Sequence, residues 1–164
     1  NLFIGSMTGM HIYDASNPAE PRELAVYSHI TSCDPVVVND DYAYVTLSSA
    51  AICRNGANEL HVLDIKDLNA PTLIQSYPMD NPHGLGLSGD YLYLAEGEQG
   101  LKSFNVADVK EISNNLIEHL KNYVFTDIIP GPKSLIVIGP DGVCQFDYTN
   151  PEQLKELSCI NVAN

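Results

Sequence analysis

"HIYDASNPAEP" (His11–Pro21) and "HVLDIKDLNAP" (His61–Pro71) are nearly the same phrase, and "CQFDYTNPEQL" (Cys144–Leu154) is a worn third rendering of it. In each, an alternating apolar run stops at an acid and is followed by Asn, Asp or Pro, the residues that reverse a chain after a strand. The acid or amide that closes each run falls at Asp14, Asp64, Asn105 and Asp147, with separations of 50, 41 and 42 residues. The period is therefore about 42 with one insertion, and periods of that size mark stacked repeats.

Each repeat resolves into short strand-like runs. The second unit reads "DPVVV", "YAYVTL", "ELHVLDI", "TLIQSY", and the third "HGLGL", "YLYLA", "GLKSF" with a less clear fourth run. "VNDDY" and "LSGDY" supply turn residues between the first two strands of these units. The reading is all-β: about four blades of four antiparallel strands, with units near 1–30, 31–79, 80–124 and 125–164. Such sheets bury apolar residues on both faces only if neighbours cover them, and radial repetition does this, so a β-propeller, partial or full, is expected. A β-sandwich also has short strands, but it gives no reason for one phrase to recur in fixed register. In "VKEISNNLIEHLKNY" (Val109–Tyr123), Ile112, Leu116, Ile117 and Leu120 fall at helical spacing, which predicts a short helix or an irregular excursion before an outer strand. The first unit opens at "LFIG", which matches a second strand, so an innermost strand is expected to be missing there. That predicts a segment of a longer propeller, with open ends prone to self-association.

Charge narrows the partners. A net charge of −13 with only 8 Lys and Arg does not suit a phosphate-tracking surface, so nucleic acid is not an expected partner. Anionic lipid headgroups are disfavoured for the same reason, and no apolar run is long enough to insert in a bilayer. The chain begins at Asn1 with no charged n-region and apolar stretch, so a targeting peptide is expected to have been removed or left out.

The phrases "LHVLDIKDLNAPTLIQSY", "DDYAYVTL", "SGDYLYLAEGEQGLKSFNV" and "MHIYDASNPAEPREL" resemble the LVIVD repeat of bacterial and archaeal cell-surface and secreted proteins. The resemblance covers almost the whole chain and is strongest in the second and third units. In the fourth, "SLIVIGPDGVCQFDYTN" lacks the Tyr pair. What the resemblance implies is a propeller at an extracellular, cell-surface or periplasmic location. It implies no activity, because fold alone does not set function.

The repeat also serves as a ruler. Eight positions before Tyr42, Tyr91 and Leu135 stand Asp34, His83 and Asp127, at the start of each innermost strand and hence near one mouth of a central channel. Carboxylate and imidazole suit a metal or polyol ligand; the competing reading is that the acids tie backbone amides between blades. "SSAAICRNGAN" (48–58) lengthens the connection between the second and third strands by roughly eight residues relative to "EGEQG", and would bring Arg54 over the same mouth. Topology places Cys33 and Cys53 on that face, and Cys144 and Cys159 near cross-strand register, so both pairs are disulfide candidates. His11 and His61 share a repeat position with Lys102 and Cys144 and read as packed side chains. Tyr42, Tyr44, Tyr91 and Tyr93 read as packing between blades, not as a sugar platform. No recognisable catalytic motif or cofactor signature is present. The expected role is a non-enzymatic interaction or scaffold module that binds a protein or a small carbohydrate-like ligand. The alternative is a ligand-binding, metal-binding or hydrolytic propeller acting through Asp34, His83 and Asp127.

Overall fold

The structure, a computed structural model, describes residues 1–28, 35–49, 57–140 and 142–162. The strands are β1 (Leu2–Ser6), β2 (Gly9–Asp14), β3 (Arg22–Ser28), β4 (Val36–Val38), β5 (Tyr42–Leu47), β6 (Glu59–Asp64), β7 (Thr72–Pro78) and β8 (Leu85–Ser88). They continue with β9 (Tyr91–Ala95), β10 (Leu101–Asn105), β11 (Leu116–Leu120), β12 (Asp127–Pro130), β13 (Leu135–Gly139), β14 (Gly142–Asp147) and β15 (Lys155–Asn161). Every sheet is antiparallel and runs in chain order: β1 to β3, β4 to β7, β8 to β11 and β12 to β15. The fold is all-β and of β-propeller type, each sheet forming a blade. We letter the strands of a full blade a to d; the first sheet contains b, c and d.

The recurring phrase is a double turn. In all four blades the residue ending strand c accepts a hydrogen bond from the backbone N–H two residues on: Asp14 from Ser16, Asp64 from Lys66, Asn105 from Ala107 and Asp147 from Thr149, at 2.9–3.0 Å. Three residues further, Asn17, Asp67, Asp108 and Asn150 do the same for Ala19, Asn69, Lys110 and Glu152. The carbonyls of these second residues then accept from Glu20, Ala70, Glu111 and Gln153 to close a β-turn. Short acid and amide side chains thus replace the strand ladder at the point where it ends.

A β-bulge recurs with equal regularity. The register between strands c and d slips between Ile12 and Tyr13, Val62 and Leu63, Ser103 and Phe104, and Gln145 and Phe146. The residue left over on strand d is Leu24, Ile74, Ile117 or Leu157, so one extra apolar residue per blade increases the local twist. The region expected to hold a short helix or an irregular excursion before an outer strand contains a single 3₁₀ turn, Ile112–Asn114, and after Asn115 the outer strand β11. Leu116 and Leu120 instead pair with Phe104 and Leu101 across the sheet. Cross-strand register prevails here over a helical spacing that Ser113, Asn114 and Asn115 support only weakly.

The chain divides into two compact units, Asn1–Met79 and Asp80–Asn164. In the first unit, Met10 and Ile12 pack on Ala43, Val45, Leu63 and Ile65. In the second, Tyr93, Ala95 and Leu101 pack on Leu135, Val137 and Phe146. Tyr44 and Tyr93 are fully buried, as their reading as packing residues requires. Cys144 and Cys159 are directly opposed on β14 and β15 and form a disulfide, with Cα atoms 4.1 Å apart. Cys33 and Cys53 lie outside the described residues.

One strand-c position has a steric requirement. Gly9, Gly100 and Gly142 begin β2, the approach to β10, and β14 with φ of +151°, +86° and +147°. A Cβ there would come within about 2 Å of the carbonyl oxygens of Tyr27, Leu120 and Ile160. We expect Gly100→Ala to lower the urea midpoint more than Asp64→Ala, whose lost Asx bond costs about 1 kcal/mol. Equal effects would show that the strand-d carbonyl does not constrain this position.

Candidate functional site

The expected channel-mouth residues do not occupy one repeat position. Strand register makes Leu135 the counterpart of Leu92 and not of Tyr91, because Leu92 and Leu135 both lie opposite the Phe that follows the bulge. The inner strands agree: Leu85 pairs with Leu94 and Ile128 with Val137. Counting inward, the counterpart of His83 is therefore Thr126, and Asp127 stands at the position of Gly84. The backbone bonds repeat accordingly, His83 N–H to Ala95 O at 2.8 Å and Thr126 N–H to Ile138 O at 2.7 Å. The one-residue offset arises because the Tyr pair used for counting is absent from the fourth blade. Asp127 is exposed, and its Oδ1 accepts from the N–H of Ile128 at 2.9 Å. It lies so close to Gly84 that a Cβ on that glycine would fall 2.1 Å from the carboxylate oxygen. Asp34 and Arg54 lie outside the described residues.

His83 is half-buried beside a buried ion pair. Glu96 is fully buried, with Oε2 2.5 Å from the Lys102 ammonium and Oε1 accepting from the backbone N–H of Asp80 at 3.2 Å. Lys102 also donates to Asp80 Oδ2 at 2.8 Å. Burial works against the Lys102 charge, yet the two carboxylates outweigh it and push its pKa up. The hydrogen bond from Lys102 pulls Asp80 down. Burial pushes the His83 imidazole below the usual histidine range, with Glu96 opposing, so the ring is neutral at neutral pH. Gly97, at φ +56°, lets the chain pass between Asn81 and His83: a Cβ there would lie 2.5 Å from Asn81 Nδ2 and 3.1 Å from His83 Nε2.

A second polar cluster was not expected from the sequence. Glu59 occupies the repeat position at which the other blades place Gly9, Gly100 and Gly142. Its Oε2 accepts from Ser76 Oγ and from His61 Nε2, both at 2.7 Å, and Tyr27 OH lies 3.3 Å from His61 Nδ1. An ionised Glu59 can only accept, so in the neutral ring Nε2 carries the hydrogen and Nδ1 accepts from Tyr27. The cluster joins the first two blades through an imidazole. The signal was present in the sequence: one departure from a glycine seen in three other repeats. His11 is held by Glu23 at 3.0 Å, and Tyr13 OH donates to the same carboxylate oxygen.

In the second unit a half-open cavity of about 210 Å³ lies at the b–c end of the fourth blade. Tyr123, Phe125, Cys144 and Cys159 line it, the two cysteines joined as a disulfide, together with Asn122 and Asn161. Tyr123 stacks on Phe125 with centroids 4.9 Å apart. Its hydroxyl donates to Glu156 at 2.6 Å, and this bond, with burial, raises its pKa to about 12. More open depressions at the opposite ends of the sheets are lined by the Asx turns. Among the described residues no three His, Cys, Asp or Glu side chains are grouped as a metal site requires.

The sequence model of the LVIVD repeat matches residues 32–78 and 83–114. The chain belongs to the LVIVD repeat family. No curated protein matches it. Among solved structures, a functionally unknown protein from Desulfotomaculum acetoxidans superposes with a TM-score of 0.66 at 12% identity, over 99% of this chain and 53% of that one. The periplasmic gluconolactonase PpgL of Pseudomonas aeruginosa gives 0.70 at 15% identity, over 98% of this chain and 51% of that one. The computationally designed Ika8 protein gives 0.66 at 11% identity, over 96% and 45%. The LVIVD chain thus spans about half the length of these structures, and at such identities the likeness shows the fold alone.

Hydrogen bonds from Ser76 and then His61 lower the Glu59 pKa below its usual 4.5. The stability this group contributes is therefore present above the unfolded value and lost as pH falls through the folded one. Thermal melts should show the gap between wild type and Glu59→Gln at its widest above about pH 5 and closing below about pH 4. A gap independent of pH would remove the carboxylate from the account.

Proposed function

We propose that this chain is a non-enzymatic binding or scaffold module of a secreted or cell-surface protein, and that it takes its partner at the b–c ends of its blades. The observation that supports this is the unequal treatment of the two ends of each sheet. At the c–d end, four blades use the same pair of Asx turns. At the b–c end, no two agree. The first blade has a short turn in which Ser6 Oγ donates to Gly9 O, the second has the inserted stretch and Glu59, the third has the Glu96–Lys102 pair beside His83, and the fourth has the disulfide-walled cavity. Connections that only close a fold can stay uniform; variation on a constant scaffold is how recognition surfaces are made. A cavity of about 210 Å³ lined by Tyr123, Phe125 and two asparagines suits a single small polar ring such as a sugar residue.

Export is supported by the Cys144–Cys159 disulfide and by the family, whose repeats are typical of extracellular proteins. Among the described residues no helix is long and apolar enough to cross a membrane. The hydrolytic or metal-binding alternative draws on His83, whose neutral imidazole could serve as a ligand or base. Asp127, its expected partner, already accepts from Ile128 N–H and stands one repeat position away.

The test is retention on a glycan array and on immobilised extracellular protein, with thermal shift in zinc and calcium alongside. Binding should be lost in Asn122→Ala/Asn161→Ala and retained in Glu20→Lys/Glu152→Lys, which reverses charge at the c–d end. The opposite pattern would overturn the assignment of the binding face. Hydrolysis of a lactone or ester that disappears in His83→Ala would establish the enzymatic alternative.

A further inference from the structure

At one fixed place in the repeat the fourth blade replaces an electrostatic tie with a covalent one. Strands c and d set His11 opposite Val26, His61 opposite Ser76, Lys102 opposite His119 and Cys144 opposite Cys159. In the first three blades a carboxylate completes the tie: Glu23 for His11, Glu59 for His61 and Ser76, and Glu96 with Asp80 for Lys102. Those hairpins share the ladder, the bulge and the Asx turns of the fourth and have no covalent bond at this place. In the fourth the ladder continues on both sides of the cysteines, with Val143 opposite Ile160 and Gln145 opposite Ser158. By that comparison the hairpin does not need the disulfide for its register, unlike the bonds that staple a small fold.

The bond is also reachable. Cys144 is 8% exposed and belongs to the apolar cluster that contains Phe125, Leu135, Val137 and Phe146, whereas Cys159 is only partly buried against that cluster. Both line the half-open cavity of about 210 Å³. Cys144 shares its cluster with Tyr93, Ala95 and Leu101, so the pair lies on the face that the fourth blade turns to the third. Both blades belong to one compact unit, Asp80–Asn164, and the cavity is built within it.

We propose that Cys144–Cys159 is a thiol–disulfide exchange site for low-molecular-weight thiols, which enter the cavity and attack Cys159. Access to a sulfur helps decide which one is attacked, and Cys159 is the more accessible of the two. The incoming thiolate forms a bond to Cys159 Sγ as the Cys144–Cys159 bond breaks. The electron pair of that bond leaves on Cys144 Sγ, which takes up the proton given up by the thiol. The product carries the small thiol on Cys159 as a mixed disulfide and a free thiol on Cys144. A second thiol releases the first as its symmetrical disulfide and leaves both cysteines reduced; without one, the Cys144 thiolate attacks Cys159, expels the small thiol and closes the original bond. Among the described residues that line the cavity none is charged, and the chain as a whole carries −13, so the site favours a neutral or cationic thiol over a thiol acid. The exchange needs only the cavity and the bond, and is independent of the partner taken at the b–c ends.

The whole chain is incubated at neutral pH and low ionic strength with cysteamine, mercaptoethanol or mercaptoethanesulfonate, quenched in acid, digested and mapped by mass spectrometry. The adduct is expected on Cys159, at a rate per thiolate that falls from cysteamine through mercaptoethanol to mercaptoethanesulfonate. The rate should be flat in urea below the unfolding transition, because the folded chain reacts. Asn122→Trp and Asn161→Trp, made separately at exposed positions beside the cavity, should each slow it by about tenfold by filling the space the thiol enters. A rate that climbs with urea as the unfolded fraction does would overturn the proposal, since exchange would then require unfolding. An adduct on Cys144 would overturn it as well, and so would a rate that neither tryptophan changes. The reverse order of the three thiols would overturn the assigned class of thiol.

Discussion

A sheet that is apolar on both faces cannot stand alone in water, and the rest of this structure depends on meeting that demand. Ala43, Val45, Leu63 and Ile65 exclude water only because Met10 and Ile12 of the preceding blade lie against them. The same holds for Leu135, Val137 and Phe146 beneath Tyr93, Ala95 and Leu101. Burial of a Leu or Val side chain stabilises the fold by about 1.5–3 kcal/mol, so a blade without a neighbour forfeits more than any hydrogen bond in its turns supplies. Stacking is therefore the primary interaction, and the turns serve to hold successive strands in the register that stacking needs.

That ordering explains which parts of the repeat vary. The Asx turns and the bulge fix where strand c ends and how strand d twists, and a one-residue error in either would turn an apolar face toward solvent. They recur in all four blades. The glycine beginning strand c is fixed differently, by the close approach of a strand-d carbonyl. Glu59 departs from it in the blade with the inserted connection, and there Ser76 and His61 satisfy the carboxylate.

Much of this was legible in the sequence because turn chemistry is local. The Asp14, Asp64, Asn105 and Asp147 series is visible by eye, and each member makes the bond its residue type suggests. The opposition of Cys144 and Cys159 follows from the same ladder. Register across a blade that has lost its markers is not local. Without the Tyr pair, nothing near Leu135 shows that it matches Leu92 and not Tyr91, and the error carried Asp127 into the place that belongs to Thr126. The helical spacing at Leu116, Ile117 and Leu120 has a related origin: such apolar positions also arise where a bulge interrupts strand alternation, as it does at Ile117.

The position shared by His11, His61, Lys102 and Cys144 shows how a repeat can keep a task while changing its chemistry. In each blade this side chain ties strand c to a neighbouring element: His11 to Glu23 on strand d, and His61 to Glu59 on its own strand and Tyr27 on the preceding blade. Lys102 ties to the buried Glu96 and to Asp80 beyond the preceding strand d, and Cys144 bonds covalently to Cys159. An exposed ion pair contributes at most about 1 kcal/mol, whereas a buried pair stripped of one partner loses several. The four ties therefore differ greatly in strength despite sharing a location. The weakest, His11 with Glu23, is partly exposed to solvent, while the two strongest lie in the unit that carries His83 and the disulfide-walled cavity.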